Sequence, residues 1–283
     1  MTALATPGAA ELGLEPPVAA AVAELLVGMA DDEFVLGFWD SEWTGIAPVL
    51  EEDVAFASLA QDEIGHAQAL YELLAQLTGT GADELAFGRE ADEYRHAALL
   101  DHARGDWAFS IARRFLYDTA DAVRLDALAR SSLQPLAGLA AKMRREEAYH
   151  LAHVHAWMRR LAGPSDGASP PVNEEPRRRL REACERLWPD ALTVLAPPEG
   201  EGLLLEAGIL PEPLDALRQR WLAELAPLFA ELELPFPFRR AGGRLEATVE
   251  QPAAGRRHRR GEDFRWLWGE FTSVYRSEPG ATW

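Results

Sequence analysis

Apolar residues along the first part of the chain recur in the three- and four-residue steps of helices, and prolines and glycines mark where each helix stops. After Pro16 and Pro17, the run VAAAVAELLVGMADDEFVLGFWD predicts a helix broken at Thr44 and Gly45. Proline suits a helix start, and the Ala, Leu and Glu content favours the turns beyond it. A second helix opens at Pro48, runs to about Leu77 and is closed by TGTGAD. The segment Glu84 to Gly105 is mixed and only partly helical, a third helix covers about Asp106 to Ala129, and after the turn SSLQP a fourth runs from about Leu136 to Leu161. GPSDGASPPVNEEP, from Gly163 to Pro176, reads as a linker. Beyond it, RRRLREACERLWPDAL, EPLDALRQRWLAELAPLFAEL and EDFRWLWGEFTSVYRS predict helices, while AGGRLEATVEQPAAGRRHRRG reads as an extended, exposed connection. Convincing strand alternation is missing. The pattern predicts an all-α protein in a single domain: a four-helix bundle over about residues 17–162 with a helical C-terminal extension over about 172–283.

Two of these helices place polar residues inside their apolar stripes. Phe56, Leu59, Leu70, Leu73 and Leu77 mark the buried face of the second helix, and Glu63 and His66 fall within it. Met143, Val154, Trp157 and Leu161 do the same on the fourth, around Glu147 and His150. Each pair reads Glu-x-x-His, one turn apart on one face. Ferritin-like di-iron bundles take such a pair from two helices and one carboxylate from each of the other two. On the first helix Glu33 lies on the stripe of Leu26, Met29 and Leu36, and on the third Asp118 lies on that of Ile111, Phe115, Ala122 and Leu125. Glu63 follows Glu33 by 30 residues and Glu147 follows Asp118 by 29, so the chain reads as two similar hairpins. The candidate metal ligands are therefore Glu33, Glu63, His66, Asp118, Glu147 and His150. Carboxylates offset the charge of two irons and imidazole suits iron, whereas the same acids buried without metal would repel one another and take up protons. The competing reading is a hydrogen-bonded polar core, and Asp32, Asp40 and Asp121 compete for the lone-acid positions.

The chain carries 28 Lys and Arg against 46 Asp and Glu, a formal charge of −18, which disfavours nucleic acid and anionic membranes as partners. Its one cysteine, Cys184, excludes an internal disulfide, fits a reducing compartment and reads as a small buried apolar residue. The N-terminus lacks the pattern of a signal peptide and no apolar run approaches ~18 residues, so a soluble, cytoplasmic protein is expected. His153 and His155 suit outer or surface roles, and His96, His102 and His258 are expected in solvent. The basic GRRHRR, Gly255 to Arg260, reads as a solvated loop, with contact to an acidic partner or a phosphorylated ligand such as coenzyme A as the alternative. The aromatic FRWLWGEF reads as a helix folded onto its own core.

Three long segments, SEWTGIAPVLEEDVAFASLAQDEIGHAQALY, LAFGREADEYRHAALLDHARGDWAFSIARRFLYDTADAV and EEAYHLAHVHAWMRRLAG, resemble the phenylacetyl-CoA epoxidase (phenylacetate-CoA oxygenase) subunit family. The LAF run, the WAFSIARRFLYD helix, the length and the GATW end are more similar to its C subunit than to its catalytic A subunit. The resemblance implies a multicomponent monooxygenase of phenylacetate catabolism. Its A subunit holds a di-iron centre and epoxidises the ring of an acyl-CoA substrate, and a separate flavin and iron–sulfur reductase supplies electrons from NADPH. A C subunit pairs with A and is usually a structural component that has lost part of the metal set. Here all six positions are filled, which implies either a di-iron centre in this chain or a metal-free scaffold that keeps the residues as polar core. Iron storage in a ferritin-like cage fits poorly, because it leaves the C-terminal extension unexplained.

Overall fold

The computed structural model describes residues 7–163, 174–250, 260–278 and 281. His258 and most of the expected linker lie outside the described residues. Nine α-helices are present among them: α1 Pro7–Glu11, α2 Pro16–Ser41, α3 Leu50–Thr78, α4 Trp107–Leu128, α5 Gln134–Ala162, α6 Glu175–Ala191, α7 Glu201–Glu206, α8 Leu214–Glu231 and α9 Glu262–Ser277. Prolines occupy the first turns of α2 and α5, the Asp106 side chain caps α4 by accepting from the Phe109 amide, and Gly79 ends α3 with φ 76°. The fold is the all-α, ferritin-like bundle that the pattern predicts. Helices α2 and α3 pack as one hairpin and α4 and α5 as another. A long crossover joins the hairpins and contains a π-helical turn at Glu84–Gly88 and two 3₁₀ turns, Ala91–Glu93 and Ala98–Leu100. Gly37 sits where α2 meets α3, and a Cβ there would lie 2.9 Å from Ile64 Cγ1 and 3.0 Å from the Ala60 carbonyl oxygen. The missing side chain lets the two backbones approach beside Glu33 and Glu63.

The C-terminal helices cover the bundle. Helices α6 and α8 lie against α4, and Trp221 of α8 donates to Thr119 Oγ1 at 2.9 Å. Phe264, Leu267 and Phe271 of α9 are buried, with Phe271 5.1 Å from Phe34 and 5.0 Å from Phe38 between ring centroids, so the aromatic segment does fold onto its own core. Cys184 is fully buried, as expected. Three expectations are corrected. Part of the extended connection forms an antiparallel hairpin, β1 Phe238–Ala241 with β2 Arg244–Ala247. Its turn residues Gly242 and Gly243 have φ of 55° and 83°, the backbone a two-residue hairpin needs. His96 is not in solvent: it is fully buried, 4.2 Å from the Phe264 ring and 3.1 Å from Asp101. Arg260, the last residue of the basic cluster, is also buried and donates to the carbonyls of His96 and Tyr94.

Candidate metal centre

All six candidate ligands are buried, and they divide into two groups. Glu33, Glu63, His66 and Glu147 each offer a ligand atom, and these atoms lie within 4.8 Å of one another. His66 turns Nδ1 inward, 3.5 Å from Glu33 Oε2, 3.7 Å from Glu63 Oε2 and 3.6 Å from Glu147 Oε1. Its outer nitrogen, Nε2, is 2.8 Å from Glu146 Oε2. Glu33 Oε2, Glu63 Oε2, His66 Nδ1 and Glu147 Oε2 are buried atoms without a hydrogen-bond partner. Metal–oxygen and metal–nitrogen bonds of about 2.1 Å separate opposite donors by about 4.2 Å, so this group is the size of one coordination sphere. Three carboxylates and an imidazole suit a first-row divalent ion.

The other group surrounds an arginine. Arg114 of α4 donates from Nη2 to Glu63 Oε1 at 2.6 Å, and the same nitrogen is 3.1 Å from His150 Nδ1 and 3.2 Å from Asp118 Oδ1. Nη1 donates to Asp40 Oδ2 at 2.6 Å, which anchors the guanidinium from α2. His150 Nδ1 is also 3.0 Å from Glu147 Oε1, and its Nε2 is 3.3 Å from Asp62 Oδ2. Asp118 and His150 thus face a guanidinium and stand outside the group that could enclose an ion. Glu63 joins the two groups, with Oε1 on Arg114 and Oε2 toward His66. The remaining acids are also accounted for. Asp32 and Asp121 pair with Arg124, and Tyr117 donates to Glu33 Oε1 at 2.7 Å. His153 binds Glu52 at 2.7 Å, while His155 packs its ring against Phe115.

Electrostatics follow this division. Burial and the neighbouring Glu63 raise Glu33 well above the usual carboxylate range, and burial with Glu63 also raises Glu147. Burial pushes Asp118 up well beyond what Arg114 offsets. Glu63 goes the other way: burial is the largest single influence and opposes its charge, but Arg114 together with hydrogen bonds from Glu33, His150 and His66 holds the group well below the usual range. Burial disfavours charge on both histidines, yet Glu33 and Glu63 push His66 up to about 12, and Glu147 and Glu63 push His150 up to about 11. A metal ion would displace the proton from His66 Nδ1 and meet a carboxylate oxygen from each of Glu33, Glu63 and Glu147, so the residues present fit one ion. A groove of about 350 Å³ between α4, α5 and α8 reaches Glu147 from the surface.

A family model described as "Phenylacetic acid catabolic protein" matches residues 14–283. The chain belongs to that family. Within the phenylacetic acid catabolic family, it is 30% identical to the C subunit of 1,2-phenylacetyl-CoA epoxidase from Escherichia coli (strain K12) over 210 residues, 74% of this chain and 81% of that protein. It is 25% identical to the A subunit of the same epoxidase over 212 residues, 74% of this chain and 66% of that one. In this family member, sequence reasoning missed Arg114 and the outer partner Glu146. A signal for the arginine was present: Arg113 and Arg114 interrupt the apolar run around Ile111 and Phe115, and Arg114 lies one turn before Asp118 on the same stripe.

Proposed function

We propose that this chain is a C-type subunit of a phenylacetyl-CoA epoxidase and acts as the accessory partner of an A-type catalytic subunit. The observation that carries this reading is the alignment with the epoxidase's C subunit, at 30% identity over 81% of that protein, against 25% over 66% of its A subunit. The acyl-CoA is then substrate of the complex, and a flavin and iron–sulfur reductase using NADPH delivers electrons to the A-type partner. Arg114 supports an accessory role, because its guanidinium engages Asp118, His150 and one oxygen of Glu63, half of the donors a two-metal oxygenase needs. An ion held by Glu33, Glu63, His66 and Glu147 would supply charge balance to the bundle centre. Around it, Tyr117 fixes Glu33, Glu146 orients His66, and Arg114 fixes Glu63.

The test is co-expression with an A-type subunit, followed by gel filtration and turnover of phenylacetyl-CoA with the reductase. The expected result is a stable mixed complex that epoxidises the ring. This chain alone should show no turnover, and Glu63→Ala should leave both assembly and turnover nearly unchanged. Failure to form a complex at micromolar concentration contradicts the pairing, and a tenfold or greater loss of turnover in an assembled Glu63→Ala complex contradicts the accessory role.

A further inference from the structure

We infer that the bundle centre is a mixed-cation site, holding one divalent transition-metal ion between Glu33, Glu63, His66 and Glu147, with the Arg114 guanidinium as a built-in second cation. The inference concerns this chain alone and stands whether or not it pairs with an A-type subunit. Two observations carry it. First, Glu33, Glu63, His66 and Glu147, from three helices, converge on one small volume, and each carries a buried atom without a hydrogen-bond partner. Orphaned buried polar atoms are costly, and several sharing one small volume point to a missing common partner. That partner must be a cation with bonds short enough to fit within 4.8 Å.

Second, the place for another ion is taken. A second metal would need Asp118, His150 Nδ1 and Glu63 Oε1. Arg114 Nη2 lies within 3.2, 3.1 and 2.6 Å of those three groups. Asp40 grips the other end of the guanidinium, and both its acids and its surroundings are buried, so the arginine has no solvated alternative. A divalent ion and a guanidinium cannot share that space in a low-dielectric interior. Glu63 therefore bridges metal and arginine as a carboxylate would bridge two metals.

The experiment loads metal-free full-length chain with excess Mn(II), removes unbound ion by desalting, and counts Mn per chain by mass spectrometry alongside electron paramagnetic resonance. Wild type should retain one Mn(II) with the six-line spectrum of an isolated ion, and His66→Ala should retain none. Arg114→Met should roughly double the count and give an exchange-coupled pair. Asp118→Asn and His150→Gln in the presence of Arg114 should leave one ion bound, and they decide the matter if Arg114→Met does not fold. Two ions or none in wild type overturns the inference. So does a count that stays at one in folded Arg114→Met, or loss of the ion in Asp118→Asn or His150→Gln.

Discussion

On α2 the residue one helical turn before Glu33 is Met29, and on α4 the residue one turn before Asp118 is Arg114. Both side chains are buried. The two hairpins otherwise match, each with a lone acid followed about thirty residues later by Glu-x-x-His. Met29 has no hydrogen bond to offer, and Glu33 Oε2 has no hydrogen-bond partner and faces His66 Nδ1 across 3.5 Å. Arg114 draws Asp118, Glu63 Oε1 and His150 Nδ1 onto itself. The comparison teaches that ligand spacing sets where donors converge, while a neighbour one turn away decides which cation they meet. Arg114→Met gives the second hairpin what the first already has.

The largest expected effect breaks this asymmetry. Removing the guanidinium in metal-free protein strands the buried charge of Glu63 beside Asp40 and Asp118. Truncating one partner of a buried ion pair costs about 3–5 kcal/mol, so urea unfolding should show Arg114→Met destabilised by that amount. Loading with Mn(II) should recover more stability in the variant than it adds to wild type, because the variant offers two vacant positions.

A buried histidine outside both halves sharpens the contrast. Acids raise His66 and His150, whereas burial and then Arg260 hold His96 down at about 4, against Asp101 acting in the other direction. With a folded value below the unfolded 6.5, the unfolded chain binds the proton first as pH falls. Stability tied to neutral His96 is therefore complete above pH 6.5 and is lost between 6.5 and 4, by up to about 3 kcal/mol across the window. His96→Gln should flatten that part of the stability curve measured by urea unfolding.

The smallest effect separates the two histidines by their outer partners. Glu146 accepts a hydrogen bond from His66 Nε2–H at 2.8 Å, which leaves Nδ1 as the nitrogen facing the centre. Glu146→Gln should weaken Mn(II) binding about 10- to 100-fold in calorimetric titration. Asp62, the equivalent neighbour of His150, touches a histidine that meets arginine, and Asp62→Asn should leave Mn(II) affinity within about threefold.

Much of this was legible in the residues. Helix spacing and proline–glycine punctuation located the four bundle helices, and two polar pairs inside apolar stripes announced a buried polar centre. Arg114 was not legible as its filling, because its partners Asp40 and Glu63 come from other helices, 74 and 51 residues away in sequence. On an acidic chain an arginine reads as a surface residue until those partners are in place. His96 escaped for the same reason: its polar segment is sealed by Phe264 from α9 at the far end of the chain. The β1–β2 hairpin did carry a local signal, the Gly242-Gly243 pair, within a stretch otherwise read only as extended.

The most direct test of the central claim is an anomalous-difference map from crystals of the full chain soaked in Mn(II). The account predicts one peak, enclosed by Glu33, Glu63, His66 and Glu147, with the Arg114 guanidinium still bonded to Glu63, Asp118 and Asp40. Two peaks with Arg114 swung out of the centre, or no peak among those four residues, would contradict it.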